Sequence, residues 1–130
     1  MPKKTVLVIL FLLWVLCVTA LSLLSLPDLD AGGVEVPYSD KIVHFIFYFG
    51  FVWLGGLALY AHVRSPYPIK KMLFWVFLAA VFYGTVIEVL QHVATAYRSA
   101  EWSDFMANTF GALTAALLLN RYLSGRHRLN

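Results

Sequence analysis

The chain has 130 residues, 61% of them hydrophobic and 13% charged, with a formal net charge of +3 and a mean hydropathy of +0.75. Soluble domains carry about 45–50% apolar and about 25% charged residues, so this composition excludes an ordinary soluble fold. The length allows one compact domain, residues 1–130, with no room for a soluble catalytic module beside a membrane anchor.

The first apolar run, residues 5–26, follows the basic start Pro2-Lys3-Lys4. It is longer than the ~7–15 apolar residues of a signal peptide, and no small-x-small cleavage site precedes Pro27, so it reads as a retained helix. Cys17 lies in its middle, unable to pair within the chain, and reads as a small core residue. Pro27 to Ser39 is rich in Asp, Gly and Pro, which is loop chemistry. A second run, 40–62, has Ser39 as a candidate N-cap. A third, 70–93, begins after the breaker stretch Ser65-Pro66-Tyr67-Pro68. Each exceeds the ~20 residues that cover a bilayer core of about 30 Å at ~1.5 Å per residue. The fourth, 102–122, carries Ala107, Gly111 and Ala115 at the small-xxx-small spacing that lets backbones approach in lipid, which predicts a helix central to packing.

The expected fold is therefore all-α, an integral membrane four-helix transmembrane bundle. Eight of the ten basic residues (Lys3, Lys4, Arg64, Lys70, Lys71, Arg121, Arg126, Arg128) fall at the start, in the loop between the second and third helices, or in the tail. An even-numbered topology puts these on one side, the cytoplasm, so both termini lie inside. Basic clusters beside apolar runs orient helices, so nucleic acid is not an expected partner. All seven carboxylates fall on the other half, with Lys41 and Arg98. In a bacterial cytoplasmic membrane that half faces outward.

Polar residues gather at this outer end. The second helix opens with Asp40 and His44, one turn apart on one face, and Tyr48 continues the stripe. The third ends with Glu88 and Gln91, followed by His92. The fourth begins with Asp104 and Asn108, and the connecting loop supplies Arg98. Glu88 sits about 7 Å inside the apolar zone at ~1.5 Å per residue. Facing lipid there would cost up to about 2.5–3.5 kcal/mol, so it must turn inward and find a partner, with Arg98 and His44 as candidates. Plainer readings stand beside this one. Asp40 and Asp104 are good first-turn acids on their helix dipoles, Lys41 is an interface cation, Asn108 an interhelical donor, and Trp14, Trp53, Trp75 and Trp102 are packing or interface anchors.

The segments Asp40-Lys41-Ile42-Val43-His44-Phe45 with Tyr48-Phe49, then Glu88-x-x-Gln91, Arg98, and Asp104-Phe105-x-Ala107-Asn108-Thr109-x-Gly111-Ala112 resemble the VanZ-like family of small bacterial membrane proteins. The likeness covers the second to fourth helices. It implies a polytopic protein whose family pattern falls on Asp40, Lys41, His44, Glu88, Gln91, Arg98, Asp104 and Asn108. The founding member is associated with low-level resistance to the glycopeptide teicoplanin. This chain departs from larger members in its minimal four-helix form.

Three functions compete. An envelope enzyme acting on a lipid or lipid-linked phosphate would use His44 with Glu88 or Asp40 and Asp104 as its acid–base or nucleophilic groups, while Arg98, Gln91, Asn108, Lys41 and Tyr48 bind the ligand. A non-catalytic protein would capture a headgroup, an envelope intermediate or a partner in the same polar cup. A purely structural network would hold the helices together at ~0.6–2 kcal/mol per contact. No cofactor is expected. A metal is not expected either, since no spacing such as His-Glu-x-x-His occurs and Arg98 would repel a cation. Transport is disfavoured because the cytoplasmic half lacks a polar path. The oligomeric state is open.

Overall fold

The computed structural model describes residues 3–23, 39–63, 67–94 and 102–127. They form four helices: α1 (Lys4–Leu23), α2 (Ser39–His62), α3 (Ile69–Ala94) and α4 (Trp102–His127). Apolar surroundings leave backbone N–H and C=O groups no water to bond, so a chain of this composition satisfies them within helices. Prolines fall in two of the three intervals between helices, Pro27 and Pro37 in the first and Pro66 and Pro68 in the second, and none falls between α3 and α4. The Pro68 carbonyl accepts from the Met72 amide at 3.1 Å and closes the first turn of α3, while Pro68 itself has no amide to continue a helix backwards. Residues 24–26, where the first run was expected to continue, lie outside the described residues. One boundary differs from expectation. α4 runs past Tyr122 to His127, because basic residues suit the negative end of a helix and do not stop it.

Among the described residues α2 touches all three other helices, and its interface with α4 is the most extensive. α1 packs on α2 and α3 and makes no contact with α4. α3 also reaches all three of the others, and α4, expected to be central to packing, shares the most extensive seam, which its small residues mark. Gly111, Ala112 and Ala115 are buried there, with Tyr48, Phe51, Val52, Val76 and Ala80 completing the core. A second cluster of Met72, Leu73, Leu119 and Leu123 fills the opposite end of the bundle. On the α1–α2 side, the Trp14 Nε1–H donates to the Phe47 carbonyl at 2.9 Å, and Gly50 leaves the space that the Trp14 ring fills.

Large apolar side chains point outward, among them Leu12, Leu16, Phe82, Val93 and Leu117. Cys17 is on this outer surface. The core position expected for it is overturned, since α1 sits at the edge of the bundle and turns most of its circumference away from the protein. α1, α2 and α3 are each long and apolar enough to cross a membrane. α4 is also long, at 26 residues, but Asp104, Asn108, Thr109, Asn120 and Arg121 dilute its apolar character. Asp104 and Asn108 are buried against the other helices, so the polarity of these two is sheltered by protein, whereas Arg121 near the other end is exposed.

Candidate functional site

Four of the expected site residues occupy the start of α2: Asp40, Lys41, His44 and Tyr48. α3 brings Glu88 and α4 brings Asp104 and Asn108. Helical spacing stacks Asp40, His44 and Tyr48 on one face of α2, and the close α2–α4 seam carries Asp104 and Asn108 up to them. His44 is 6% exposed and Asn108 3%. At that burial each polar atom needs a partner or costs free energy.

Asn108 is the link. Its amide Nδ2–H donates to Glu88 Oε1 at 3.4 Å, and its Oδ1 lies 3.0 Å from His44 Nδ1. An ionised carboxylate only accepts, so the NH2 side of the amide must face Glu88 and the oxygen must face the imidazole. His44 Nδ1 therefore carries a proton and donates. Glu88 Oε1 lies 3.6 Å from the same nitrogen, which reinforces that choice. The consequence is a fixed tautomer, with His44 Nε2 left to accept a proton or a bond. This is the arrangement by which second groups orient a reactive histidine.

Nε2 faces acidic oxygens from two helices, Asp40 Oδ1 at 3.5 Å and Asp104 Oδ2 at 3.9 Å. The other oxygen of each carboxylate is used differently. Lys41 Nζ lies 3.3 Å from Asp40 Oδ2 and pairs closely with Asp104 Oδ1, so one ammonium joins α2 to α4. Asp40, His44 and Asp104 form a group whose ligand atoms lie within 4.8 Å of one another, a grouping able to hold a metal ion.

The remaining expected residues fall around this centre. Gln91 Nε2 donates to the Ser22 carbonyl at 2.7 Å and ties α3 to the end of α1. Tyr48 is 1% exposed and packs against Gly84, one helical turn from Glu88 on α3. No described residue hydrogen-bonds its hydroxyl, whereas every fully enclosed side-chain nitrogen or oxygen among the described residues has a partner. The small accessible remainder of Tyr48 therefore includes its hydroxyl. Arg98 lies outside the described residues. His92 is exposed and takes no part. A second polar pair, missed in the sequence because it is spread over two apolar runs, joins Thr19 to Tyr83 at 2.6 Å.

Helices fit to cross a bilayer, enclosing ionisable side chains at one end of their bundle, define a helical multi-span membrane protein. The VanZ/LLP1 family model matches residues 5–123, nearly the whole chain, and the chain belongs to that family. No curated protein and no solved structure matches it.

Proposed function

We propose that the protein binds and chemically processes the headgroup of an envelope lipid, or of a lipid-linked intermediate bearing phosphate, at the polar end of the bundle. The observation that carries this is the Glu88–Asn108–His44 chain, which protonates Nδ1 and turns Nε2 towards Asp40 and Asp104. An imidazole so held is suited to general acid–base work on a headgroup, and helix-end amides with Lys41 and Arg98 supply charge for a phosphate or oxyanion. The reading includes a bacterial cytoplasmic membrane, four crossings, both termini inside and the site outside, following the placement of the basic residues. Teicoplanin tolerance, which the family resemblance implies, would follow from altered envelope headgroups.

The test is lipid and cell-wall-precursor profiling of cells producing the wild type or Glu88→Gln at matched levels. Conversion of a lipid species by the wild type alone supports the proposal. An unchanged profile with a copurifying lipid would leave a binding protein, and an unchanged profile with no lipid bound would sink the headgroup reading. One observation favours a second reading, a structural network. The Lys41–Asp104, His44–Asn108 and Gln91–Ser22 contacts all join different helices. On that reading each substitution lowers stability and no lipid is bound or changed.

A further inference from the structure

We infer that Asp40, His44 and Asp104 form a binding site for one divalent transition-metal ion. Three acceptor atoms converge there. Nε2 of the buried His44 makes no hydrogen bond with a described residue and faces Asp40 Oδ1 at 3.5 Å and Asp104 Oδ2 at 3.9 Å. With Nδ1 protonated by its bond to Asn108, Nε2 presents a lone pair to two carboxylate oxygens, and three lone pairs meeting at one point repel unless positive charge lies among them. Ligand atoms around a tetrahedral ion with bonds of ~2.0–2.1 Å are about 3.4 Å apart, close to the two separations observed.

Lys41 does not fill this position. It pairs with Asp40 Oδ2 and Asp104 Oδ1, the opposite oxygens of the same two carboxylates. It steadies both ligands from behind while opposing a nearby cation. One imidazole and two carboxylates suit Zn2+ or Mn2+. The Asn108 bond to Nδ1 supplies the outer support that metal-bound histidines ordinarily have. The spacing along the chain hid this group, because two ligands come from one turn of α2 and the third from α4.

The ion's use rests on the headgroup reading, though its binding does not. Among the described residues, three carboxylates, Asp40, Glu88 and Asp104, and one ammonium, Lys41, lie at this end of the bundle. A phosphate would approach a negative field there, and a divalent ion would reverse its sign locally.

The experiment titrates the full-length, detergent-purified protein with Mn2+ alone, followed by electron paramagnetic resonance, and with Zn2+ alone by calorimetry. The expected result is one ion per chain. Affinity should fall by more than about tenfold in His44→Ala and in the isosteric Asp104→Asn, and rise by about tenfold in Lys41→Gln. Circular dichroism and elution volume establish which variants are folded, and folded Asp104→Asn decides if His44→Ala is not. A smaller loss in a folded ligand variant overturns the inference. So does the absence of saturable binding in both wild type and Lys41→Gln, which would assign the neutralising charge to a proton on His44 Nε2. Because no lipid is present, failure here leaves the headgroup proposal standing, and success does not depend on it.

Discussion

The carbonyl oxygen of Phe45 occupies the place where a methyl group on Gly111 would have to go. This contact lies beside the site on both helices, since Phe45 follows His44 and Gly111 lies one turn beyond Asn108. The obstacle is backbone and cannot rotate aside. Alanine gains about 1 kcal/mol of helix propensity over glycine, against an overpacking cost of ~1–3 kcal/mol. Gly111→Ala should therefore lower the melting temperature in detergent and weaken the His44–Asn108 contact. A raised melting temperature would show that the helices are not so close.

Asn108→Ala removes the group that selects the histidine tautomer. It leaves a buried imidazole N–H without its acceptor, a cost of about 1–3 kcal/mol. The tautomer itself gives the sharper readout. With 15N-labelled imidazole, wild-type His44 should show a single Nδ1-protonated form near neutral pH, and the variant a mixture. Identical spectra would remove the Glu88–Asn108–His44 chain as an orienting device.

Tyr48 and Tyr83 are both phenols inside the bundle, and their variants should behave differently. The Tyr83 hydroxyl contacts Thr19 Oγ1 at 2.6 Å and the Val15 carbonyl at 3.3 Å, so Tyr83→Phe should cost roughly 0.5–1.5 kcal/mol. The Tyr48 hydroxyl has no partner to lose among the described residues, and Tyr48→Phe should leave thermal stability unchanged. If its hydroxyl serves the ligand, headgroup conversion falls in a protein of normal stability. A large loss of stability in Tyr48→Phe contradicts the packing described for it.

Trp14→Phe keeps an aromatic ring against Gly50 but deletes the bond to the Phe47 carbonyl. In a membrane bundle such contacts contribute about 0.6–2 kcal/mol. The variant should melt earlier and, on the proposed function, retain lipid conversion, since α1 supplies no group to the His44 cluster among the described residues. Lost activity in a folded Trp14→Phe protein would mean that α1 reaches the site in some other way.

Run length and polar or proline-bearing interruptions were enough to read the four helices, because an apolar helix needs only enough residues to cross and a change of composition at each end. The gathering of Asp40, His44, Glu88, Asp104 and Asn108 was legible too, since alternating helix directions bring those ends to one level. Rotation about each helix axis was not legible. It depends on small residues finding one another, as Gly111 finds Phe45 and Gly50 finds Trp14. Rotation turns Cys17 outward, sends Gln91 to Ser22 and decides which oxygen of Asp40 meets Lys41. The number of neighbours beside each helix was not legible for the same reason. A glycine–alanine stripe marks one close seam and says nothing of how many neighbours a helix has.

The bond between His44 and Asn108 closes a separation of 64 residues. At ~5–20 residues per second, ribosomal synthesis delivers Asn108 on the order of 3–13 seconds after His44. During that interval α2 and α3 exist with the histidine and Glu88 still lacking the amide that joins them. α4 brings the Asn108 amide and the Asp104 carboxylate together, so the contacts of His44 and Lys41 across the bundle are all completed at one late step of synthesis.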